Sequence, residues 1–200
     1  MSKSSHRDPL SDTQLRVKAL ESIMLEKGIV KQETLDAIID NYENKVGPHV
    51  GAAVVAKAWT DPDFKARLLK DASATLAEMG LAGIEGTHVE VKENTPETHH
   101  MVVCTLCSCY PWTLLGLPPN WYKSTPYRAR AVRDPRGILA EFGVDMSEEV
   151  EVRVWDSNAE IRYLVLPMQP EGSEGLNEEE LAALVSRDSM IGTAVVEMKR

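Results

Sequence analysis

The stretch Val103-Cys104-Thr105-Leu106-Cys107-Ser108-Cys109 contains all three cysteines of the 200-residue chain. Thr105 and Ser108 separate the cysteines, whereas a strand buried in a core would carry Val, Ile or Phe there. The spacing Cys-x-x-Cys-x-Cys therefore indicates sulfur chemistry. One tight turn can direct three sulfur atoms to one point, and soft thiolates select transition metals over magnesium or calcium. The first hypothesis is a metal site made by these cysteines.

A structural zinc site is the simpler form of this hypothesis. Such a site usually has four ligands, and the chain contains no second Cys-x-x-Cys pair. His99 and His100 lie shortly before Cys104 and are the nearest groups that can complete a zinc site. An iron–sulfur cluster normally needs four thiolates, so three cysteines disfavour it.

A catalytic metal site is the other form. The short spacing of Cys107 and Cys109 permits their two sulfurs and the backbone nitrogens of Ser108 and Cys109 to lie in one plane around an ion. Cys104 then caps this plane from one side. The opposite position stays open, which is typical of a catalytic metal because substrate can bind there.

A long run of unusual residues follows the cysteines. Tyr110-Pro111-Trp112 comes first, and then Leu115-Gly116-Leu117-Pro118-Pro119-Asn120-Trp121-Tyr122-Lys123. Together with residues 103–109, this ungapped run resembles the metal-binding segment of nitrile hydratase alpha subunits. The similarity continues through Tyr127-Arg128-Ala129-Arg130-Ala131-Val132-Arg133 and from Trp155 to Tyr163. It covers most of the chain and is therefore far more specific than the cysteine spacing alone.

The resemblance implies an enzyme, a hydro-lyase that adds water to a nitrile to give the amide. Its cofactor would be non-corrin cobalt(III), with iron(III) as the less favoured metal. The ligands would be the sulfurs of Cys104, Cys107 and Cys109 and the deprotonated backbone nitrogens of Ser108 and Cys109. The family's oxidation pattern would make Cys107 a sulfinic and Cys109 a sulfenic acid. The metal would polarise the nitrile, and the Cys109 sulfenate would attack the nitrile carbon or act as base for a water.

Thr105 and Tyr110 favour cobalt within this resemblance. The iron branch has Ser where this chain has Thr105, and Tyr110 points to the cobalt branch as well. No simple electrostatic reason makes one methyl group choose the ion, and the preference can lie in the insertion machinery. Thr105 is therefore a marker of the branch and not a cause.

Three further site residues come from the resemblance. Trp112 would line the substrate pocket, and packing of its ring in the loop is a compatible alternative. Asp156 and Glu160 match acids that orient and tune the site without binding the metal. The plainer interpretations are a turn residue for Asp156 and an ion pair with Arg162 for Glu160.

Two other functions stay open. Thiocyanate hydrolase has the same cobalt-binding segment in its metal-bearing subunit, and the substrate depends on a pocket shared with a partner. A non-catalytic zinc-binding interaction module would use Cys104, Cys107, Cys109 and either His99 or His100. The family pattern does not use the histidines, which favours an ordinary polar role for both.

Composition disfavours several partners. The formal net charge is −9, which repels nucleic acid and anionic membrane surfaces. The densest basic segment, Lys123 to Arg136, is interpreted as a solvated or interface-pairing helix face. No secretory signal or membrane span stands out, and an odd number of cysteines argues against a disulfide framework. The expected location is the cytoplasm.

Residues 1–47 are predicted to form a helical arm. Apolar residues recur at helical spacing from Ser11 to Lys27 and from Leu35 to Val46, and Gly47-Pro48 ends the second run. The apolar faces can pack on the rest of the chain. The resemblance implies instead that the arm wraps a beta subunit. That subunit would supply arginines to the oxidised sulfurs in an α2β2 heterotetramer, and a metal-loading activator protein would act separately.

Residues 48–200 are predicted to form a globular, metal-bearing catalytic domain of the α+β class. Helices flank a small β-sheet layer in a layered α-β-β-α arrangement. Helices are expected over residues 51–59, 62–80, 124–132, 135–142 and 177–187, and strands over residues 89–92, 99–103, 150–155 and 161–166. The core is predicted to include Phe64, Leu68, Leu69, Leu76 and Met79. A stiff loop without regular structure is expected around Pro111, Pro118 and Pro119.

Overall fold

The computed structural model describes residues 11–40, 46–81 and 88–198. Contacts within the chain divide it into two units, Met1–Glu43 and Asn44–Arg200. The predicted boundary at residue 47 and the wrapping role of the arm stay predictions. Within the three described ranges, none of the helices combines the length and apolar character that crossing a bilayer requires.

Over the described residues 11–40, the first unit contains two helices, α1 (Asp12–Glu26) and α2 (Gln32–Asp40). A capping box begins α1, because the Ser11 hydroxyl accepts from the Gln14 amide and the Gln14 side chain accepts from the Ser11 amide. Neither helix buries a residue. Their apolar side chains are exposed, namely Leu15, Val17, Leu20, Ile23, Ile38 and Ile39. Both predicted helices are present, and the predicted end of the second, past Asp40, falls mostly outside the described residues.

Two parallel strand pairs organise the second unit. They are formed by β1 (His88–Glu93) with β4 (Ile161–Leu166) and by β2 (Thr98–Val103) with β3 (Glu151–Asp156). The four predicted strands are thus confirmed, as two small sheets. In the second pair Val103 lies opposite Asp156, so the carboxyl ends of β2 and β3 lie side by side.

The described residues of the second unit also form helices. They are α3 (Pro48–Thr60), α4 (Pro62–Lys70), α5 (Ala72–Glu78), α6 (Trp112–Leu115), α7 (Asn120–Lys123), α8 (Thr125–Ala131), α9 (Pro135–Glu141), α10 (Glu178–Ala182) and α11 (Arg187–Ile191). The core includes Val54 and Val55 of α3, Phe64 of α4, and Met101 and Val102 of β2. Contacts of α4 and α5 with β1, and of α11 with β2 and β4, place helices against both strand pairs. The α+β layered class is confirmed.

The predicted helix over residues 62–80 is wrong, because the chain breaks it at Asp71. The Asp71 carboxylate accepts from the Ala74 amide at 3.0 Å and so caps a new helix. Asp is a preferred N-cap residue because its oxygen satisfies an amide that has no partner within the helix. Two residues predicted in the core, Leu69 and Met79, are 37% and 39% exposed.

Prolines also proved compatible with regular structure. Pro111 and Pro119 occupy the cap positions directly before α6 and α7. Proline is tolerated there because the first amides of a helix lack a partner within it anyway. The predicted helix over residues 177–187 is also shorter than expected, since α10 ends at Ala182 and Ser186 caps the separate helix α11.

Gly192 ends α11 and packs directly against β2. We predict that Gly192→Ala destabilises the fold. Gly192 has φ +88°, and a methyl group there would overlap the carbonyl oxygen of His100. Left-handed strain and this overlap together should lower the unfolding midpoint by about 5 °C or more. Thermal unfolding followed by circular dichroism measures the shift.

Gly172→Ala is the matched control for this prediction. Gly172 has φ +81°, but no atom of the described residues lies within 4 Å of an added Cβ, so this variant carries the backbone strain without the overlap. Its midpoint should fall less than that of Gly192→Ala. Equal shifts would contradict the proposed close packing of Gly192 against β2.

Candidate metal centre

The cysteine loop, residues 104–109, leaves the end of β2 and brings all three thiols together. Cys104 Sγ lies 3.5 Å from Cys107 Sγ, which lies 3.2 Å from Cys109 Sγ. All three sulfurs lie within 4.8 Å of one another, and they form a group that can hold a metal ion. Cys104 is buried, Cys109 is half-buried and Cys107 is exposed. One side of the cluster is therefore accessible.

The neighbouring strand holds the entrance of this loop. At the end of β3, the Asp156 carboxylate accepts from the Thr105 amide at 2.9 Å and from the Thr105 hydroxyl at 2.6 Å. The Ser157 amide donates to the Val103 carbonyl at 2.7 Å. Asp156 thus contacts the cysteine loop through Thr105. The hydroxyl of Thr105 makes the bond, and a serine would offer the same group, so the methyl group has no part in this contact.

Backbone amides of the loop face the sulfurs. The Cys107 amide donates to Cys104 Sγ at 3.2 Å. The amides of Ser108 and Cys109 help to lower the pKa of the Cys107 thiol. Their nitrogens are the two that the sequence resemblance implies as ligands.

The thiols differ in acidity. The hydrogen bond from the Cys109 thiol, followed by that from the Ser108 amide, lowers the pKa of Cys107 to about 7. Burial, followed by the hydrogen bond with Cys107, raises the pKa of Cys109 to about 12, although the Arg162 guanidinium opposes this. Of these two cysteines, the exposed Cys107 thus forms its thiolate at the lower pH in the metal-free protein.

Three long side chains hold the loop from outside. Arg128 Nη1 donates to the carbonyls of Leu106 and Cys107 at 2.9 and 3.4 Å. Tyr122, buried beneath the loop, donates to the Cys109 carbonyl at 2.9 Å. Arg162 Nη1 donates to the Tyr110 carbonyl at 3.2 Å.

Sequence reasoning missed these roles. It placed Arg128 in a basic helix face and Tyr122 among packing residues, and it named Arg162 only as a possible ion-pair partner of Glu160. Arg128 and Leu106 are 22 positions apart, and backbone carbonyls leave no mark in a sequence. The abundance of arginine in this part of the chain was the available signal.

Trp112 and Glu160, the other predicted site residues, occupy different surroundings. Trp112 begins α6 and is half-buried, and its indole nitrogen is buried without a hydrogen-bond partner in the described chain. Glu160 lies on the exposed connection between β3 and β4. Its amide donates to Asn158 Oδ1, and its carbonyl accepts from the His88 amide.

Both histidines are engaged away from the thiols. His99 Nε2 lies 2.7 Å from the Gly192 carbonyl, which can only accept, so that nitrogen carries a proton. His100 Nδ1 accepts from Trp155 Nε1 at 2.9 Å. Burial lowers the pKa of both rings. Over the described ranges, the metal-capable group consists of the cysteines without either histidine, which removes the proposed fourth zinc ligand.

Comparisons with known proteins agree on one family. The family model for "Nitrile hydratase, alpha chain" matches residues 11–194. The low-molecular weight cobalt-containing nitrile hydratase subunit alpha of Rhodococcus rhodochrous is 58% identical over 90% of this chain and 87% of its own length. A double mutant of the Fe-type nitrile hydratase from Comamonas testosteroni Ni1 superimposes with a TM-score of 0.84 at 41% identity, covering 94% of this chain and 93% of that chain.

A second activity occurs among the similar proteins. The thiocyanate hydrolase subunit gamma of Thiobacillus thioparus is 40% identical over 94% of this chain and 82% of its own length. Sequence identity of 40% shows a shared fold and does not distinguish a nitrile from thiocyanate as the substrate.

We predict that Cys107 is the fastest thiol to react in the metal-free protein. Its pKa lies near 7 and it is exposed, whereas burial raises the pKa of Cys109 and encloses Cys104. Because the thiolate is the nucleophile, its alkylation by iodoacetamide should rise with pH through about 7 and level off above it. Peptide mass spectrometry at several pH values measures the rates. Faster reaction at Cys109 would contradict the assigned acidities, and faster reaction at Cys104 would contradict its burial.

Proposed function

This chain belongs to the nitrile hydratase alpha-chain family, and on that premise we propose that it is the metal-bearing subunit of a cobalt enzyme that hydrates a nitrile to its amide. The observation that carries the proposal is the convergence of three thiols in the loop that follows β2. A hydro-lyase of this kind needs an electrophilic centre with one accessible side. The exposed side of the cysteine loop supports such a centre.

The donor set fits cobalt. Sulfur is a soft ligand, and the mutual distances of the three sulfurs allow one ion to contact all of them. The metal would be held by the sulfurs of Cys104, Cys107 and Cys109 and by the backbone nitrogens of Ser108 and Cys109. Non-corrin cobalt(III) is proposed, with iron(III) as the alternative. When bound, the ion supplies a Lewis acid for the nitrile.

The cysteines are proposed to be oxidised in the mature enzyme. Metal-bound thiolates that solvent can reach are the thiols most readily oxidised, and Cys107 is exposed. Cys107 would be the sulfinic acid, after loss of four electrons, and Cys109 the sulfenic acid, after loss of two, with dioxygen from solution as the oxidant and oxygen source. The sulfenate oxygen of Cys109 then serves as the nucleophile for the nitrile carbon or as the base for a water.

Other residues of the chain are proposed to position the site. Asp156 fixes the start of the cysteine loop through Thr105. Glu160 lies exposed on the connection that follows Asp156. Its carboxylate is proposed to orient groups of the metal site. Trp112 is proposed to line the substrate pocket. Its indole nitrogen is buried without a partner among the described residues, which supports this because a bound amide or nitrile can accept a hydrogen bond from it.

A beta subunit is proposed to cover the open side. Leu106 and Leu117 are 81% and 62% exposed, and apolar exposure of this size favours a protein partner. The exposed apolar side chains of α1 and α2 provide a second contact surface. The partner would supply arginines to the oxidised sulfurs in an α2β2 heterotetramer of the cytoplasm. A separate activator protein would load the metal.

The main test is metal content and activity of the chain purified with its partner from cells supplied with cobalt, iron and zinc together. We expect near-stoichiometric cobalt and conversion of nitriles to amides. Cys109→Ala should abolish both, because it removes a sulfur ligand. Ser108→Ala is the matched control and should retain both, because only the backbone nitrogen of Ser108 is used. Zinc without activity would contradict the proposal.

Thiocyanate hydrolysis is the second candidate, favoured by the 40% identity to a thiocyanate hydrolase subunit. The same preparation distinguishes it when offered thiocyanate and nitriles separately. Faster turnover of thiocyanate would assign the chain to that activity, with the same metal and ligands. Faster turnover of nitriles would exclude it as the main reaction.

The arm generates a further prediction, that Leu20→Glu weakens association with the partner about tenfold or more. Leu20 is 59% exposed in the chain alone, and burying a carboxylate in an apolar interface is costly. Lys18→Glu, an exposed polar position on the same helix, is the control and should bind normally. Titration of the labelled partner measures both affinities.

The isolated chain should show at most weak activity, and full activity of the chain alone would contradict the need for a partner.

A further inference from the structure

We propose that Arg128 is a positioning residue for the metal centre, which turns the peptide between Cys107 and Ser108 so that its nitrogen faces the sulfurs. The inference rests on the proposed function, because it concerns the same cysteine loop. It adds a residue of this chain whose side chain binds neither metal nor substrate.

Arg128 contacts two successive carbonyls of the cysteine loop. One nitrogen of the guanidinium, Nη1, reaches the carbonyl oxygens of both Leu106 and Cys107, at 2.9 and 3.4 Å. Two successive carbonyls that share one donor must point to the same side of the chain. In an extended strand, successive carbonyls point to opposite sides. Arg128 therefore holds a local backbone conformation that the loop would not take as a continuation of β2.

The second step follows from the planar trans peptide, in which the carbonyl and the amide proton point in opposite directions. Because the Leu106 carbonyl faces Arg128, the Cys107 amide faces away and donates to Cys104 Sγ at 3.2 Å. Because the Cys107 carbonyl also faces Arg128, the Ser108 amide points away from the arginine, toward the side on which the Cys107 amide donates to Cys104 Sγ. The peptide between Leu106 and Cys107 is thus held by the arginine at its oxygen and by a sulfur at its nitrogen, and the next peptide has the same orientation.

The third step concerns the helix that carries the arginine. The residue before it, Tyr127, is buried and donates its hydroxyl proton to the Val102 carbonyl of β2 at 2.7 Å. The Ser124 hydroxyl caps the same helix at the Tyr127 amide. The guanidinium is therefore presented from an element fixed to the strand that leads into the cysteine loop, which suits a group that must hold the loop in place.

Charge gives the contact its strength. A guanidinium stays protonated at every working pH, and hydrogen bonds from a charged donor are stronger than neutral ones. Arg128 Nε is buried without a partner in the part of the chain that the structure describes, a cost that a solvated surface arginine would avoid by leaving the loop. The neighbouring arginines differ: Arg130 pairs with Asp134 and Glu141, and Arg133 is exposed.

The test compares Arg128→Met, Arg128→Lys and the matched control Arg133→Met, each purified with the partner subunit. With limiting cobalt, Arg128→Met should retain about tenfold less metal than the wild-type protein. Such a loss is typical when a group that supports a metal ligand is removed. Its metal–sulfur absorption band should shift, and KM for the nitrile should change less than kcat. Arg128→Lys should give intermediate values, and Arg133→Met should match the unmodified protein.

A readout without metal separates this inference from the proposed function. In the metal-free complex, hydrogen–deuterium exchange of the peptide that contains residues 104–109 should be faster in Arg128→Met than in Arg133→Met. This difference is expected even if the metal or the substrate proves to be another. Equal exchange in the two variants, or unchanged cobalt content and absorption in Arg128→Met, would overturn the positioning role. If Arg128→Met fails to bind the partner, Arg128→Lys carries the same comparison.

Discussion

The cysteine loop depends on the parallel pairing of β2 with β3. Val103 lies opposite Asp156 at the last position of that pairing, so the loop starts beside a carboxylate at the end of the neighbouring strand. Asp156 binds the amide and the hydroxyl of Thr105 and thereby fixes the direction in which the chain leaves the sheet. Parallel strands place their carboxyl ends on one edge, and this edge is where the loop between such strands can form a site.

A loop that directs its sulfurs inward must find partners for its backbone elsewhere. Three carbonyls of the loop accept from Arg128 and Tyr122, and its amides donate to Asp156 and to the sulfurs themselves. Buried or constrained backbone groups need such partners because leaving them unpaired is costly. The hydrogen bonds that shape the loop thus come from β3, α7 and α8, and the ligand atoms are left free to converge.

The sequence was informative where the pattern is local. Alternating valines located the strands, and the cysteine spacing located the site. It failed where distant residues decide the outcome. Asp71 could lie within a long helix or begin a new one, and only its bond to the Ala74 amide decides. Arg128 belongs to a basic segment that suggested solvent or an interface, and its contact with carbonyls more than 20 positions away has no local signature.

Cys107 and Cys109 differ in acidity because their surroundings differ. Burial disfavours the charged form of Cys109, while hydrogen bonds favour that of Cys107, the most exposed of the three. The chain therefore presents its most reactive sulfur on its open face and keeps Cys104 enclosed. A cation bound to the three cysteines favours the thiolate form of each of them. The partner subunit proposed above would cover the same face and limit the access of solvent to sulfurs whose orientation this chain sets.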